Sequence, residues 1–538
     1  MTSFGGLQVV SVGADLNMTL VGKVSLGSND INSVAVKNGM VAVAVAASDK
    51  TQPGSVYFLD GGATLSVTHG VISPTGFVVC NVTVGALPDM VVFTSDGRKV
   101  LVANEGEQDT AGRNPEGSVS IIDLSPVLAT NAGADAVPRV TTASFTAFNS
   151  QRDALKAKGV RLFAGEAGYA NVTVAQDLEP EYIAISPDGS KAFVTLQENN
   201  AIGILDIAEG EFTDIVPLGL KDFSMLLLDT NDRDNAAVLK TGLPVYGLYM
   251  PDSIVSFVGA DGESYYVIAN EGDDRDDFIN PDETVRVSSS SYVLDPTVFP
   301  NALLLKTDGM LGRLTVSNAP GNRGDVDGDG DIDKILMYGG RSFSILNDQG
   351  QMIYDSGSQV EEYFARGGMF SASNPAGSGL FDDSRSDNKG PEPEGLTVGQ
   401  VGSRTLAFVG LERGGGGVMV YDITDPRKVS LVQHLRNAAD VSPEGMLFVA
   451  AAHSPSGRDL LFVTNEVSMT VTAFDNARVA PPHQHLAGSE PGSALASNSS
   501  HAADACVDDD ECLAPCASNA SNTMCNVSYR KTAQCVNT

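Results

Sequence analysis

Acidic residues recur beside proline along the chain, at positions that could assemble a cation site. Pro88-Asp89 and Pro180-Glu181 each open an alternating apolar run, and looser copies of the pattern begin at Pro251-Asp252, Pro393-Glu394 and Pro443-Glu444. In every copy a second apolar run ends in a glutamate, namely Glu105, Glu198, Glu271, Glu412 and Glu466. Carboxylates held close together raise one another's pKa and destabilise a fold unless a cation neutralises them. The pattern therefore predicts bound calcium, a hard cation that takes many oxygen ligands.

The elements that carry these acids read as short antiparallel strands. Each copy consists of a strand, a turn and a second strand, and most copies add a third strand such as 117–123. Repeated strand triplets at blade-sized intervals predict an all-β fold, a β-propeller. Two weaker copies, at 32–60 and 335–355, bring the expected count to seven blades, and six is the alternative if either is an insertion. Two β-sandwiches are the competing architecture, but they do not require the same acid at the same strand end.

Propeller geometry predicts where the acids meet. The first strand of a blade lines the central channel, and the hairpin returns the end of the second strand to the start of the first. The expected metal ligands at this rim are Asp89, Glu105, Glu181, Glu198, Asp252, Glu412, Glu444 and Glu466. Glu271 and Glu394 belong to the same pattern and are expected to be catalytic. The alternative is that these acids cap strand ends or stay solvated in loops.

A second calcium signal lies in an aspartate-rich loop within 325–336. Oxygen donors alternate with other residues, and Gly330 occupies the sixth position, as in the first nine residues of an EF-hand loop. The twelfth position is Leu336, where a bidentate glutamate is expected. We expect a calcium loop that is completed by a residue from elsewhere, and a solvated acidic turn is the alternative. The expected ligands are Asp325, Asp327, Asp329, Asp331 and Asp333. Two further acidic clusters, 229–234 and 273–277, could also bind calcium.

Basic residues near the predicted rim are candidates for holding a phosphate group. They are Arg275, Arg341, Arg385 and Lys389 as phosphate ligands, and Arg413 as a catalytic residue. A cation with two or three arginines would bind a phosphate and stabilise the charge that develops on its oxygens during hydrolysis. The alternative is that each one pairs with a neighbouring carboxylate. The sequence contains no Gly-X-Ser-X-Gly, Walker-type or HExxH motif, so hydrolysis would use a metal-activated water or an unrecognised Ser or Thr.

Composition excludes several classes of partner. The formal net charge of −33 disfavours nucleic acid, because so negative a surface repels phosphate backbones. We find no apolar run long enough to span a membrane. Zinc is disfavoured because the only histidines before the C-terminal region are His69, His434 and His453, and no two of them are close in sequence.

Two features indicate an extracellular or cell-surface protein, although the first residues lack a secretory signal. Asn-X-Ser/Thr sequons predict glycosylation at Asn17, Asn81, Asn171, Asn498, Asn519 and Asn526. Five cysteines, Cys506, Cys512, Cys516, Cys525 and Cys535, predict a disulfide-rich tail. Because five is odd, one thiol pairs with Cys80, pairs with another chain or lacks its partner, and a zinc cluster is the competing interpretation. The expected organisation is a propeller over 1–478, a linker over 479–505 and the tail over 506–538.

Several longer motifs resemble a known family. They are Leu87-Pro88-Asp89-Met90 through Glu105-Gly106-Glu107, Glu179-Pro180-Glu181-Tyr182 through Asn200, Ala269-Asn270-Glu271-Gly272-Asp273, Asp387 through Gly395, and Gly410-Leu411-Glu412-Arg413. They are similar to the choice-of-anchor I domain, a family that includes mesenchyme-specific cell-surface glycoproteins and proteins labelled atypical alkaline phosphatases. The resemblance covers roughly residues 5–478. It implies an extracellular or surface propeller that is often associated with calcium.

Two functions are consistent with these features. The first is a secreted, calcium-dependent phosphomonoesterase that releases phosphate from small organic phosphate esters, with several calcium ions and a second divalent or iron ion at the catalytic site. The second is a non-catalytic calcium-binding surface glycoprotein that acts on mineral or matrix components in adhesion or biomineralisation. The ordinary alkaline phosphatase nucleophile and zinc ligands are missing, so a phosphatase would need a different site.

Overall fold

The computed structural model describes residues 6–26, 30–129, 136–234, 236–275, 283–367, 370–371, 381–413, 416–475 and 525–529. Within them the chain forms six four-stranded antiparallel sheets, which we call blades 1 to 6. Blade 1 consists of Ile31–Lys37, Met40–Val45, Pro53–Asp60 and Val78–Ala86, and blade 2 of Pro88–Phe93, Lys99–Asn104, Ser118–Asp123 and Arg139–Ser144. Blade 3 consists of Pro180–Ile185, Lys191–Leu196, Ala201–Asp206 and Glu211–Pro217.

Blade 4 consists of Ile254–Val258, Ser264–Asn270, Ser342–Asn347 and Met352–Asp355, and blade 5 of Pro393–Val401, Arg404–Leu411, Val418–Asp422 and Ser430–Leu435. Blade 6 consists of Pro443–Val449, Leu460–Asn465, Thr470–Asp475 and Cys525–Tyr529. The first strands of successive blades contact one another and so surround a central channel. The all-β propeller expected from the repeat pattern is confirmed.

Alternating apolar residues build the core between the blades. Ala42 and Phe58 of blade 1 pack in one cluster with Val91 and Val100 of blade 2. Equivalent clusters join blades 2 and 3, 3 and 4, 4 and 5, and 5 and 6. Each middle strand is buried on both faces because it is covered by a neighbouring blade on either side, which explains its nearly continuous apolar sequence.

The strand pairing corrects one interpretation of the repeat. Residues 335–355 were expected to form a blade of their own, but Ser342–Asn347 and Met352–Asp355 are the third and fourth strands of blade 4, and Ile335–Met337 belongs to another sheet. An insert between the second and third strands of blade 4 supplies three strands, and two strands that precede blade 4 join them in a five-stranded sheet. Its order is Leu220–Asp222, Val245–Leu248, Ile335–Met337, Thr315–Ser317 and Thr284–Arg286. We call it the insert sheet. It has a separate hydrophobic core that includes Phe223, Tyr292 and Leu311.

The remaining elements are short. Strands Leu7–Val12, Met18–Val24, Val71–Ile72 and Val67–Thr68 form a small sheet, and Phe370–Ser371 pairs with Phe381–Asp382. The α-helices are Ser125–Leu128, Arg152–Lys158, Val174–Asp177, Ala302–Leu305 and Gln359–Gly367, and the 3₁₀ helices are Thr146–Gln151, Phe223–Met225 and Asp383–Arg385. Among the described helices, none has the length and hydrophobicity needed to span a bilayer.

The C-terminal region contributes to the propeller. Strand Cys525–Tyr529 pairs with Thr470–Asp475 as the outermost strand of blade 6. The boundary expected at residue 478 therefore does not separate the tail from the propeller. The predicted linker, the other tail cysteines and the sequons at Asn498 and Asn519 lie outside the described residues.

A repeated irregularity shapes the rim. The first strands of blades 2, 3, 5 and 6 each shift register next to the Pro-acid pair, so Pro88 pairs with Asn104 and Pro443 with Asn465. Such bulges redirect side chains at strand ends. The residue before the proline also has positive φ in four copies, at Leu87, Met250, Glu392 and Ser442. A non-glycine residue in this region is strained, and strain of this kind clusters at functional sites.

Candidate metal and phosphate site

The structure brings the acids of blades 2 to 6 to one mouth of the channel. Within a blade, one acid of each pair raises the pKa of the other. The charge of Asp89 raises the pKa of Glu105, the charge of Glu198 raises that of Glu181, and the charge of Glu466 raises that of Glu444. The charge of Asp252 likewise raises the pKa of Glu271, and the charge of Glu412 raises the pKa of Glu394. Repulsion also crosses the channel, because the charge of Asp89 raises the pKa of both Asp252 and Glu444. All five expected pairs therefore share one rim, as blade geometry predicts.

Tight packing keeps neighbouring blades together at this rim. Gly395 directly follows Glu394, and a Cβ at this position would collide with the carbonyl oxygen of Glu444. A side chain here would push blade 5 away from blade 6. The Pro-Glu-Gly sequence thus reflects a close backbone approach as well as the placement of the acid.

The rim carboxylates resist ionisation. Burial, followed by the charge of Glu107, raises the pKa of Asp89 to about 6. Burial raises the pKa of Glu198, Glu412 and Glu444 to about 7, with the charges of acidic neighbours adding to the effect. The pKa values of Glu105, Glu181, Asp252, Glu271 and Glu394 are raised well above their ordinary range by burial and by the surrounding acids. The mouth therefore favours bound cations or protons.

One part of the rim has ligand atoms close enough to share an ion. Carboxylate oxygens of Glu271, Glu392 and Glu412 lie within 4.8 Å of one another, and we call this group the rim cluster. Gln197 Nε2 donates to Glu271 Oε2 at 2.7 Å. Glu394, whose pKa is raised by Glu271 and Glu412 after burial, has an Oε2 with no hydrogen-bond partner among the described residues. The donors are all oxygen, which fits a hard divalent cation such as calcium.

The other expected rim ligands do not form such a group. Among the described residues, Asp89, Glu105, Glu181, Glu198, Asp252, Glu444 and Glu466 join no set of three acids with ligand atoms this close. They surround the rim cluster with negative charge. Their role as direct metal ligands stays a prediction.

A cavity of about 480 Å³ opens beside the rim cluster, and we call it the cationic cavity. Its positive side chains are Arg286, Arg385 and Lys389, and its other lining residues are Asp273, Asp274, Thr284, Val285, Thr315 and Asn388. Arg385 Nε and Nη2 donate to Glu392 Oε1 and Oε2 at 2.7 and 2.8 Å. This bidentate pair joins the cationic cavity to the rim cluster.

Lys389 and Arg413 also contact acids of this region. Lys389 forms an ion pair with Asp273, and its Nζ lies 3.4 Å from Asp274 Oδ2. These acids raise the pKa of Lys389 despite its burial, so the lysine stays charged. Arg413 Nη2 lies 2.7 Å from Glu412 Oε1, and Nη1 donates to Ser442 Oγ at 3.1 Å. Arg413 therefore orients a member of the rim cluster.

Two of the expected phosphate ligands are structural instead. Arg275 is 3% exposed, and its guanidinium donates to Glu179 and to the side chain and carbonyl oxygen of Asp177, each at 2.8 Å. Arg341 is 1% exposed, and its Nη1 and Nη2 atoms donate to Glu361 and to three backbone carbonyl oxygens. Burial and these partners leave neither guanidinium facing the cationic cavity, so the expectation is wrong for both.

The aspartate-rich loop folds around two groups of carboxylates. Ligand oxygens of Asp325, Asp327 and Asp333 lie within 4.8 Å of one another, as do those of Asp295, Asp331 and Asp333. Asp295 reaches the loop because Leu294 bridges to Ile332. Asp295 is therefore a candidate for the residue from elsewhere that was expected to complete the loop. Asp329 belongs to neither group and accepts a hydrogen bond from the Asp331 amide.

Asp331 is strained electrostatically by this arrangement. Desolvation, followed by the charges of Asp329 and Asp295, raises its pKa to about 6. Its Oδ1 atom is buried without a hydrogen-bond partner among the described residues. Both features fit a loop shaped to hold a cation, and calcium binding here remains a prediction.

Sequence reasoning missed several residues of the site. Glu392 directly precedes Pro393, and the positive φ that brings it to the rim cluster is invisible in the sequence. Glu107 lies two residues beyond Glu105 and could have been found by extending the acidic strand end. Arg286 comes from the insert sheet, and no local signal connects it with the rim.

The modification sites are partly accessible. Asn17, Asn81 and Asn171 are exposed, as an oligosaccharide would require. Asn526 lies in the outermost strand of blade 6.

Cys80 is a free thiol among the described residues, and burial raises its pKa. His434 is partly buried, with Nε2 2.9 Å from Gly416 O, and desolvation lowers its pKa to about 4.

Comparisons with known proteins identify relatives in sequence. A family model described as "Choice-of-anchor I domain" matches residues 2–426. Gigasin-3a of Magallana gigas is 33% identical over 192 residues, which are 32% of this chain and 66% of that protein. The mesenchyme-specific cell surface glycoprotein of Strongylocentrotus purpuratus is 25% identical over 308 residues, which are 51% of this chain and 39% of that protein. The chain thus spans less than two thirds of either relative.

Among solved structures, the Cps50 (Swd1) β-propeller domain of Myceliophteria thermophila is similar with a TM-score of 0.38 and 8% identity, covering 86% of this chain and 92% of that one.

Proposed function

The chain belongs to the choice-of-anchor I domain family, and we propose that it is an extracellular or cell-surface, calcium-dependent phosphomonoesterase that releases phosphate from organic phosphate esters. One observation carries the proposal. Arg385 lines the cationic cavity and forms a bidentate ion pair with Glu392 of the rim cluster. A cavity lined by positive side chains and a cluster of carboxylates are therefore adjacent, which supports phosphoryl transfer to water because that reaction needs both a phosphate contact and a bound cation.

The cationic cavity would bind the phosphate group of the substrate. Arg385 has guanidinium N–H groups beyond the two that Glu392 accepts, and Arg286 and Lys389 add positive charge to the lining. Their present acidic partners hold these side chains in place. A phosphate dianion would compete with Asp273 for Lys389, since the carboxylate of Asp273 is half exposed. Binding would then exchange one anionic partner for another without leaving a buried cation unpaired.

The rim cluster supplies the cation site. A divalent cation held by Glu271, Glu392 and Glu412 would polarise the phosphoryl group and activate a water molecule. We expect calcium, and a second divalent or iron ion is the further candidate for the catalytic position. The raised pKa values of Glu271 and Glu412 support this assignment, because a bound cation would relieve the repulsion between them.

Three side chains would have separate roles in the reaction. Glu394 would accept the proton of the attacking water at Oε2, the oxygen without a hydrogen-bond partner among the described atoms. Its raised pKa makes it a stronger base than an ordinary carboxylate. Glu271 would stay fixed by Gln197, and Arg413 would orient Glu412.

The lining of the cationic cavity favours small hydrophilic esters. Among the described lining residues, Val285 is the one with an apolar side chain, and none of them is an aromatic residue that could stack on a nucleobase. Thr284, Thr315 and Asn388 offer hydrogen bonds to hydroxyl groups. Polyol and sugar phosphates are the substrates that this surface would accommodate best.

A second function is favoured by a different observation. The sequons at Asn17, Asn81 and Asn171 are exposed, the net charge is −33, and one relative is named a cell surface glycoprotein. These features support a non-catalytic calcium-binding glycoprotein that contacts mineral or matrix components. The rim cluster and the aspartate-rich loop would then be binding sites alone.

Turnover separates the two functions. Purified protein would be assayed with p-nitrophenyl phosphate and glycerol phosphate over a broad range of pH and metals, before and after chelation. Chelator-sensitive phosphate release, restored by calcium or another divalent cation, is the expected result. If no condition gives chelator-sensitive release while calcium binding is intact, the phosphomonoesterase is excluded and the glycoprotein function stands.

A further inference from the structure

A second acidic group lies away from the channel mouth, between the loop after the 3₁₀ helix Phe223–Met225 and the 3₁₀ helix Asp383–Arg385. Ligand oxygens of Asp229, Asp234 and Asp383 lie within 4.8 Å of one another. Asp229 is fully buried, and Asp383 is 1% exposed. The two segments that supply these acids are far apart in sequence, so the group exists only in the folded chain.

A fourth acid points to a ligand at this place. Glu361, in the helix Gln359–Gly367, is 1% exposed, and its Oε1 accepts from Arg341 Nη1 at 2.7 Å. The same Nη1 atom donates to the carbonyl oxygen of Asp229 at 2.7 Å, so the Glu361 carboxylate lies against the Asp229 segment. Glu361 Oε2 is buried with no hydrogen-bond partner among the described residues. A buried carboxylate oxygen in that state is costly unless a cation or donor satisfies it.

The charges around this group are unbalanced. The donors to the Asp229 carboxylate are the amides of Asn231, at 3.3 Å, and Val238, at 2.9 Å. Burial, followed by the charge of Glu361 and then those of Asp234 and Asp383, raises the pKa of Asp229 to about 7. Two cations act on this group: Arg341, whose ion-pair partner is Glu361, and Lys221, whose ion-pair partner is Asp355. The four carboxylates therefore outnumber the described cations that act on them.

We propose that Asp229, Asp234 and Asp383, with Glu361 beside them, bind a calcium ion that fastens the loop 383–390 to the loop after the 3₁₀ helix Phe223–Met225 and to the helix Gln359–Gly367. The donors are oxygen atoms, as calcium prefers, and they come from three separate segments. The ion would therefore act as a cross-link of the tertiary structure. The loop that it fastens carries Arg385 and Lys389 to the cationic cavity.

This proposal does not depend on phosphatase activity, because its test measures metal binding. Chelated full-length protein would be titrated with calcium by calorimetry, in parallel with the variants Asp229→Asn, Asp234→Asn and Asp232→Asn. Asp232 is the matched control, since it lies in the same loop but pairs with Arg313 at 2.7 and 2.8 Å. The variant Asp325→Asn, titrated in the same way, would show which part of the heat of calcium binding comes from the aspartate-rich loop.

We expect Asp229→Asn to bind one calcium ion fewer than the unchanged protein and Asp234→Asn to bind that ion about tenfold more weakly or worse, because each loses a charged ligand. Asp232→Asn would keep the full number of ions. If Asp229→Asn does not fold, Asp234→Asn carries the test. Equal calcium binding in Asp234→Asn and the unchanged protein, or the same loss in Asp232→Asn, would overturn the proposal.

Hydrogen exchange would test the cross-link itself. Within the loop, the amides of Asn388 and Gly390 donate to Arg385 O at 3.0 Å, so their exchange reports on its order. Calcium should slow exchange over 383–390 by about tenfold in the unchanged protein and in Asp325→Asn, and should have no effect there in Asp234→Asn. Slowing that persists in Asp234→Asn would place the stabilising ion elsewhere.

Discussion

Arg385 meets Glu392 in a bidentate ion pair, with Nε–Oε1 and Nη2–Oε2 distances of 2.7 and 2.8 Å. Glu392 has a strained backbone with φ of 46° and is 3% exposed. The pair holds a rim carboxylate and a cavity cation in one fixed geometry. Its position between the rim cluster and the cationic cavity makes it the point at which metal and phosphate binding would be coupled.

Replacing this arginine should impair phosphate recognition. In Arg385→Ala we expect kcat/KM for glycerol phosphate to fall by about 100-fold, because a charged donor pair to the phosphoryl oxygens is lost. Steady-state kinetics would measure it. Arg427→Ala is the matched control, since Arg427 is an exposed arginine that lies 3.8 Å from Asp261, away from the rim. Equal losses in both variants would argue against a phosphate contact at Arg385.

The two buried arginines predict a different outcome. In Arg275→Gln we expect the free energy of unfolding to fall by about 3–5 kcal/mol, because Asp177 and Glu179 would be left buried without their cation. In Arg385→Gln the loss should be smaller, since this arginine is partly exposed. Denaturant unfolding of chelated protein compares them. A larger loss in Arg385→Gln would contradict the structural role of Arg275.

Glu394 offers a test that separates catalysis from folding. Glu394→Gln should lower kcat by at least about 100-fold, since the amide cannot accept the proton of water. The same change removes one charge from a crowded mouth, so the melting temperature without calcium should not fall. Glu263→Gln, at an exposed turn, is the control. An unchanged rate in Glu394→Gln would show that this carboxylate takes no part in turnover.

The rim acids make the stability of the calcium-free protein depend on pH. Glu198, Glu412 and Glu444 have an ordinary pKa of 4.5 and a folded pKa of about 7, so between these values the folded state binds more protons than the unfolded state. Their contribution to stability is therefore lost progressively as pH rises from about 4.5 to 7.

Thermal unfolding with chelator should show this loss as a falling melting temperature across that window. Saturating calcium should weaken or reverse the fall, because the ion binds the ionised carboxylates. A melting temperature that rises from pH 4.5 to 7 in the presence of chelator would contradict the repulsion at the rim.

The aspartate-rich loop predicts a role for a residue outside the motif. In Asp295→Asn we expect calcium affinity of the loop to fall by about tenfold, because Asp295 faces Asp331 and Asp333 from a neighbouring segment. Terbium luminescence, competed with calcium, would measure the affinity. Asp153→Asn is the control, since Asp153 is 86% exposed and lies in a distant helix. If the calcium affinity of Asp295→Asn is unchanged, Asp295 is not a ligand and the loop binds calcium through its own aspartates alone.

The sequence by itself determined the strands, their repetition and the end of each blade at which the acids lie. These features are local, because alternation of apolar residues and the position of Pro-acid pairs depend on neighbours within one hairpin. The convergence of Asp89, Glu181, Asp252, Glu394 and Glu444 followed once the repeat was read as a propeller. The resemblance to the family rested on the same segments.

Only the tertiary structure decided which cations line a cavity and which are enclosed by buried partners. Arg275 and Arg385 look alike in the sequence, but the partners of Arg275 lie about 100 residues earlier in the chain, whereas Arg385 pairs seven residues away and lines a cavity. The approach of Asp295 to the aspartate-rich loop and the pairing of Ser342–Asn347 with blade 4 also depend on contacts between distant segments. Long-range packing sets burial and ion pairing, and no local pattern specifies either.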